Sequence, residues 1–391
     1  MALNTISSDR LSTNVKNTNF TAAEKQDLTD DILPLAGQLG NRNLIINGAM
    51  NVAQRGTSST ANTYGSVDRI RISSGGTDEA PTHSQADVAA ATTPYTSGFR
   101  KAFKITNGNQ TGGAGADDSI TFVYTVEEQD LATSGWNHKS SSSNITISFW
   151  VKSSVSQNFY FTIQSDNSSQ YRYVMETGSL TADTWTKITK TIPGNTNLVF
   201  NNDNGVGVYI IWNLFNGTNR TGTRPLNAWA ALDNTSRTPD MTSTWYTTND
   251  ATFEITGIQL EVGSVATDFE HRSFGDELQR CKRYYEVLVS GSGKTWGGAA
   301  VMYLANQTHH QCTFVEKRAT PTLDYVSGTN YYRYYSNDSN AHSSTLDQFL
   351  YVTPRSAGII ANTLSSNLVA GGAAFSYTTN ASAFVAISAE L

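Results

Sequence analysis

The chain has 391 residues, of which 38% are hydrophobic, 10% aromatic and 15% charged. Disordered chains are poor in aromatic residues, so this composition excludes an unfolded polymer and indicates a polar folded protein. The net charge of −6 argues against a basic surface that would bind the phosphates of a nucleic acid. The apolar runs fall short of the roughly 18 residues of a membrane-spanning helix. We therefore expect neither nucleic acid nor a membrane as a partner.

Residues 1–40 are polar and contain one short predicted helix. It begins after Thr21, which opens a T-x-x-E capping box, and carries Leu28, Ile32 and Leu35 at helical spacing. One narrow apolar stripe on so short a helix is not stable by itself in water. The stripe therefore packs on the chain's own domain, or it docks on another protein or on further copies of the chain.

Residues 41–271 have the pattern of an all-β domain. Apolar and polar residues alternate in short runs bounded by Gly, Asn and Ser, which is typical of half-buried antiparallel strands. The runs lie at residues 120–126, 144–152, 159–163 and 186–192. Apolar faces of this kind must cover one another, so the sequence predicts a β-sandwich. The apolar parity changes across Gly257, which predicts a bulge, and we interpret Trp150 as a packing residue.

Residues 272–286 change to helical periodicity. Ser273 opens an S-x-x-D cap. The apolar residues that follow at helical spacing are Phe274, Leu278, Cys281 and Tyr285. The sequence predicts one amphipathic helix between two β regions.

Residues 287–391 return to β structure. Short strands are predicted at residues 299–304, 311–315, 349–352 and 384–387, and Gly-, Asn- and Ser-rich joints separate them. The predicted fold class is therefore mainly β, with a sandwich body, a short connecting helix and a smaller C-terminal β-sandwich.

Two sequence blocks resemble a bacteriophage tail-fibre family. NLIINGAM at residues 43–50, followed by QRG at residues 54–56, resembles that family's opening strand, and residues 255–285 resemble its signature block. The first block, the ISFWVKS strand and the ITGIQLE strand are also similar to jelly-roll carbohydrate-binding modules. In the C-terminal region the resemblance is weaker. It rests on KRATPTL at residues 317–323 and ISAEL at residues 387–391, which resemble fibre tips.

The resemblance implies a virion fibre of a phage tail with four parts. Residues 1–40 would attach to other phage tail proteins, and residues 41–271 would form a jelly-roll body. Residues 272–286 would connect this body to a tip at residues 287–391, which adsorbs to a host-surface glycan or receptor. The N-terminal residues show no signal peptide, so we expect synthesis in the host cytoplasm.

Fibres of this family are commonly homotrimers, so the resemblance implies a homotrimer here. The stripe of Leu28, Ile32 and Leu35 is then a candidate virion-docking or trimer contact. Phe274 and Leu278 on the connecting helix are a second candidate, at a place where three copies would meet between body and tip.

An aromatic cluster in the tip is the predicted binding site. The candidate ligand-binding residues are Tyr331, Tyr332, Arg333, Tyr334 and Tyr335, with Trp296 after a Gly-rich loop. A tyrosine ring covers the C–H face of a sugar, and its hydroxyl can bond a sugar hydroxyl. Alternatively, alternate tyrosines of this run pack the tip core, because neighbouring residues of a strand point to opposite faces.

The sequence gives no convincing catalytic site, so we expect a non-enzymatic protein. GSGKT at residues 291–295 lacks the first glycine of a phosphate-binding loop. The carboxylate doublets 117–118 and 127–128 are adjacent in sequence, and adjacent strand residues do not face one another across a cleft. Two other functions remain open. The chain is an adaptor or decoration fibre that binds only virion proteins, or it is a polysaccharide depolymerase spike.

No cofactor is expected. Jelly-roll carbohydrate-binding modules often carry a structural calcium, and Glu254 is the acidic residue best placed on the closing strand. The resemblance implies further acidic residues where this chain has Thr256 and Gly257. This departure argues against a calcium site, and we predict no metal ligands.

Overall fold

Antiparallel β-sheets make up most of the regular secondary structure that is described in this protein. The computed structural model describes residues 41–391 apart from residues 168, 169 and 363. Within it, Asn43–Leu391 form one unit. No helix among the described residues has both the length and the apolar character needed to cross a membrane. The predicted mainly β fold class is confirmed.

The body is a sandwich of two antiparallel sheets. Its strands are β1 (Ser58–Ser59), β2 (Ile70–Gly75), β3 (Thr82–Asp87), β4 (Lys101–Thr106), β5 (Ser119–Glu127), β6 (Asn144–Ser153), β7 (Asn158–Ser165), β8 (Tyr171–Ser179), β9 (Thr186–Pro193), β10 (Val206–Asn216), β11 (Trp229–Ala231) and β12 (Thr252–Val262). The first sheet has the order β1-β3-β4-β12-β6-β9, and the second has the order β11-β8-β7-β10-β5-β2. Helical turns α1 (Thr93–Thr96), α2 (Glu128–Ala132) and α3 (Thr244–Thr247), and a 3-10 turn at Thr218–Arg220, lie between strands.

Aromatic rings from both sheets fill the space between them. Phe122 of β5 stacks on Trp212 of β10 with centroids 4.8 Å apart. Phe149 of β6 meets Phe161 of β7 edge to face at 5.0 Å. Such pairs add about 0.5–1.5 kcal/mol each beyond the area they bury. The alternation seen in the sequence thus sends one face of each strand into a shared core, and the predicted sandwich is confirmed.

Gly257 lies in a bulge of β12, as predicted. The register of β12 against β6 shifts between Thr256 and Gln259. Gly257 has φ +65, and a Cβ atom there would lie 2.6 Å from the ring of Phe99. Both the backbone conformation and the available space therefore require glycine at this position.

Residues 43–50, expected to form an opening strand, do not form one. Their backbone lies against β12 through two hydrogen bonds. Leu44 N–H donates to the Leu260 carbonyl and Ile258 N–H donates to the Gly48 carbonyl, both at 2.9 Å. Asn47 has φ +63, which turns the chain away before a regular ladder can form.

The tip contains a second set of antiparallel strands. They are β13 (Tyr285–Ser290), β14 (Ala300–Leu304), β15 (Gln307–Thr313), β16 (Thr322–Tyr325), β17 (Tyr332–Ser336), β18 (Ser339–Ser343), β19 (Gln348–Leu350), β20 (Ser356–Ala361), β21 (Ala373–Thr378) and β22 (Phe384–Ser388). A three-stranded sheet has the order β13-β22-β16, and a seven-stranded sheet has the order β18-β17-β21-β14-β15-β20-β19. Their buried residues form a hydrophobic cluster separate from that of the body.

The connecting helix α4 (Phe274–Lys282) is shorter than predicted. The Ser273 side chain caps it by accepting a hydrogen bond from Asp276 N–H at 3.2 Å. The helix ends before Tyr285, which is already the first residue of β13. Of the predicted apolar stripe, Cys281 is buried and Leu278 is partly buried, whereas Phe274 is exposed. The helix also buries the charged residue Glu277.

The sequence blocks that carry the tail-fibre resemblance meet where the tip joins the body. Arg272 donates to the carbonyl groups of Asn43 at 2.6 Å and Ile45 at 3.1 Å. The guanidinium of Arg55 lies 3.4 Å over the Tyr285 ring and forms an ion pair of 3.0 Å with Glu390. These blocks therefore build the body–tip joint.

Candidate functional site

The predicted tyrosine cluster is divided between the core and the surface of the tip. Tyr332 and Tyr334 are buried. Trp296 is also buried and meets Tyr332 edge to face at 5.6 Å. The Tyr332 hydroxyl donates to the Val326 carbonyl at 2.7 Å. The prediction that Tyr332, Tyr334 and Trp296 contact a ligand is therefore wrong, because the two sheets of the tip close over them.

The alternate residues of β17 lie on the other side of the sheet. Arg333 and Tyr335 are partly exposed there, whereas Tyr331, just before the strand, is partly buried and packs against the tip core. Arg333 is the register partner of Tyr377, and Tyr335 is the register partner of Phe375. Tyr331, Arg333 and Tyr335 thus remain candidates for ligand contact.

The outer side of the seven-stranded sheet is rich in aromatic residues. Phe375 is 70% exposed, Tyr303 63% and Tyr351 84%. Tyr303 stacks on His309 with ring centroids 4.6 Å apart. We call the following set the tip face: Tyr303, His309, Tyr335, Tyr351, Phe375 and Tyr377. Large aromatic side chains left in water over several neighbouring strands indicate a binding surface.

A groove runs along one end of the tip face. It has a volume of about 440 Å³, and Val301, His309, Gln311, Tyr351 and Ile360 contribute to its walls. This volume lies in the range of about 300–1,000 Å³ that is typical of ligand pockets. The rings of His309 and Tyr351 provide an apolar surface for a sugar, and the amide of Gln311 can form hydrogen bonds with its hydroxyl groups.

Polar side chains hold the other end of the tip face in position. Arg333 Nε donates to His342 Nε2 at 2.7 Å, and its Nη1 donates to the Tyr377 hydroxyl at 3.2 Å. Burial and the positive charge of Arg333 lower the pKa of His342, so that its ring is neutral and can accept this bond. The Tyr335 hydroxyl donates to Asp338 Oδ1 at 3.0 Å. These rings are therefore presented in a fixed orientation.

A second pocket lies on the outer side of the first body sheet. It has a volume of about 530 Å³ and is lined in part by Phe99, Trp150, Lys187, Phe269 and His271. Phe99 meets Phe269 edge to face at 4.9 Å. Trp150 lies beside Lys187 in the strand register. We call this the body pocket. Trp150 packs in a small aromatic cluster, as interpreted, and it also faces this pocket.

The acidic residues considered for catalysis or calcium have other partners. Glu127 accepts hydrogen bonds from Arg283 at 2.9 Å and from Tyr284. Asp118 accepts from the Tyr246 hydroxyl at 3.0 Å. Glu254 forms an ion pair with Lys152 at 3.0 Å. In the part of the chain that the structure describes, no group of three or more His, Cys, Asp or Glu side chains is arranged to hold a metal ion.

The predicted docking residues fall into two sets. Leu28, Ile32 and Leu35 lie outside the described residues. Phe274 of α4 is 59% exposed, and Leu278 is partly buried. Phe274 is thus available for contact with another chain.

Comparisons with known proteins find similarity at the level of structure. No protein-family model and no curated protein matches the chain. A tailspike protein 4 enzymatically active domain of bacteriophage CBA120 is 10% identical with a TM-score of 0.31, over 56% of this chain and 21% of that one. The chain thus spans about a fifth of that domain.

Two carbohydrate-binding modules are also similar to the chain. CBM4 is 14% identical with a TM-score of 0.29, over 56% of this chain and 98% of the module. The family 11 carbohydrate-binding module of a cellulosomal cellulase of Clostridium thermocellum is 14% identical with a TM-score of 0.26, over 55% and 98%. Similarities of this size carry no conclusion about what the chain binds.

Proposed function

We propose that the chain is a non-enzymatic subunit of a phage tail fibre that binds a host-surface glycan through the tip face. The observation that carries this proposal is the exposure of Tyr303, Tyr351 and Phe375 on one side of a single sheet. Exposing such rings to water is unfavourable unless a partner covers them. Sugars present flat C–H faces that suit aromatic rings, with hydroxyl groups that suit Gln311 and Arg333.

The proposed fibre is a homotrimer that is attached to other tail proteins by its N-terminal segment. A single shallow groove binds a sugar weakly, because little ligand surface is buried there. Several tip faces on one virion would bind the same cell together. The gain in affinity from such multivalency reaches about 10²–10⁴-fold.

The test is adsorption of the full chain to a panel of bacterial strains and to their purified surface polysaccharides. A triple variant, Tyr303→Ser, Tyr351→Ser and Phe375→Ser, removes the exposed rings. Val265→Ser is the control, because Val265 is 70% exposed in the body, away from the tip. We expect the triple variant to lose at least about tenfold in affinity and the control to bind like the parent. Equal binding by all three proteins would refute the proposal.

A protein partner is the second candidate function. Aliphatic side chains border the tip face, among them Val301, Leu304 and Val369, and all three are exposed. Such residues also suit a contact between virion proteins, which is the adaptor function considered from the sequence. Binding of the parent to purified tail proteins, lost in the triple variant and without any binding to polysaccharide, would favour the adaptor. Release of reducing ends from polysaccharide would instead indicate a depolymerase.

A further inference from the structure

Three arginine side chains converge on the outer side of the second body sheet. Arg172 belongs to β8 and is only 4% exposed. Its Nη1 donates to the carbonyl group of Arg237 at 3.4 Å. Arg224 Nη2 donates to the carbonyl group of Ala230 at 3.2 Å, and Ala230 is the register partner of Arg172. The backbone pairing therefore brings three positive charges to one place, in a chain whose net charge is −6.

This arginine cluster, Arg172, Arg224 and Arg237, has three positive charges, and the nearby carboxylate of Asp233 offsets them only in part. None of the three forms an ion pair with a carboxylate within residues 41–391 as the structure describes them. Arg172 instead donates from Nη2 to the neutral side chain of Gln164 at 2.6 Å. The nearby Asp233 is exposed and accepts its hydrogen bonds from Thr235.

The cluster is electrostatically unfavourable as it stands. Burial, and then repulsion from Arg237 and Arg224, lower the pKa of Arg172 to about 10. Burial also lowers the pKa of Arg224 and of Arg237. A buried positive charge that lacks an anion is strongly destabilising in a folded protein. An anion at this place would remove the repulsion.

Buried hydrogen-bonding atoms without partners lie in the same place. They are Arg224 Nε, Arg237 Nε and Thr238 Oγ1, which have no hydrogen-bond partner among the described residues. Buried polar groups in native proteins nearly always have one. Two of these atoms are N–H donors on guanidinium groups, which suit an oxygen-bearing anion.

We propose that the arginine cluster binds an oxyanion, namely the carboxylate or sulfate group of an acidic glycan. The glycan part of this proposal rests on the proposed function, whereas oxyanion binding itself does not. The guanidinium fork donates parallel N–H bonds that match the oxygens of a carboxylate or a sulfate. The arginine cluster would favour charged polysaccharides over uncharged ones. The aromatic rings of the tip face would stack on the sugar rings.

The experiment measures anion binding to the full chain by calorimetric titration. Sodium glucuronate tests a carboxylate, sodium sulfate tests a sulfate group, and glucose is the uncharged control. The variants are Arg224→Gln and Arg237→Gln, both at partly exposed positions. Arg71→Gln is the matched control, because Arg71 is a partly exposed arginine of β2, at the opposite edge of the same sheet. Circular dichroism checks that each variant is folded.

We expect the parent to bind at least one of the two anions and not glucose. Arg224→Gln and Arg237→Gln should each weaken this binding about tenfold, as expected for the loss of a charge-assisted hydrogen bond. Arg71→Gln should bind like the parent. Arg237→Lys should retain part of the affinity, because it keeps the charge and loses the fork.

Two results would overturn the proposal: no binding of either anion by the parent, or unchanged affinity in both glutamine variants. The tip-face triple variant separates the two proposals. If anion binding by the parent needs Arg237 while no polysaccharide binds the tip face, the arginine cluster stands as an oxyanion site and the proposed function fails. If polysaccharides bind through the tip face and no anion binds the cluster, the reverse holds.

Discussion

The guanidinium group of Arg69 lies 3.3 Å over the ring of Tyr284. This contact joins a residue of the body to a residue at the start of the tip. Arg69 also forms an ion pair of 2.9 Å with Glu390, the penultimate residue of the chain, and donates to the Thr125 carbonyl at 2.7 Å. Both Arg69 and Glu390 are largely shielded from water. The buried charge of Arg69 therefore helps to hold the body and the tip together, because it contacts Tyr284, Glu390 and Thr125 from three distant segments.

Removing the Arg69 charge should strongly destabilise the protein. Among the described residues, Arg69→Met leaves Glu390 with one ion pair, that with Arg55, and breaking a buried pair costs about 3–5 kcal/mol. The free energy of unfolding in urea measures the effect. Arg355→Met is the control, because the pair of Arg355 with Glu316 is exposed and such pairs contribute about 0–1 kcal/mol. Similar losses in both variants would contradict a structural role for the Arg69 contacts.

Asp68 should make the stability of this joint depend on pH. Burial raises the pKa of Asp68 from 3.8 to about 6, although two hydrogen bonds from Gln54 oppose the shift. The folded state thus holds the proton more tightly than the unfolded state. The contribution of Asp68 to stability is complete below about pH 4 and is lost as pH rises through 6. The shift corresponds to up to about 3 kcal/mol.

The difference between the parent and Asp68→Asn isolates this effect, because other carboxylates titrate in both proteins. Free energies of unfolding are measured from pH 4 to pH 7. We expect the stability of the parent relative to the variant to fall with rising pH over this range. A difference that stays constant or rises with pH would show that folding does not raise the pKa of Asp68.

The sequence predicted the strands well because alternation reports which residues a sheet buries. It predicted the sandwich, the bulge at Gly257 and the Ser273 cap, each of which depends on residues close together in the chain. The tyrosine run was harder. Alternation shows that Tyr332 and Tyr334 share a face, but only the packing of a second sheet decides that this face is the buried one.

The exposed site could not be predicted for a related reason. Tyr303, Tyr351 and Phe375 belong to different segments of the tip, and each lies next to other apolar residues, so the local pattern does not mark it as exposed. Only the register of the seven-stranded sheet brings these segments together. The arginine cluster likewise combines a strand residue with loop residues about 50–65 positions later in the chain. Local patterns carry no information about such long-range pairings.

Trp150 tests whether the body pocket also binds sugar. We expect Trp150→Ala to reduce the affinity for polysaccharides that bind the parent by about five- to tenfold, the equivalent of about 1–1.4 kcal/mol for a lost aromatic contact. Trp185→Ala is the control, because Trp185 belongs to the same aromatic cluster and is not among the residues that line the pocket. Equal affinity in both variants, with the fold intact, would assign binding to the tip face alone.

Phe274 tests the proposed trimer contact on α4. Its ring is 59% exposed, although the helix it begins is well capped. In a trimer, neighbouring chains would cover this ring, and an aspartate at such a contact would bury a charge without a partner. We expect Phe274→Asp to lower the molar mass measured by light scattering from that of a trimer to that of a monomer.

The control for this experiment is Val265→Asp, which adds the same charge at another exposed apolar position of the chain. It should leave the mass unchanged. The Phe274→Asp monomer should remain folded. Phe274 is mostly exposed in a single chain, so the substitution removes little packing within that chain. A trimer that persists in Phe274→Asp would move the contact elsewhere, and a monomeric parent would remove the trimer from the proposed function altogether.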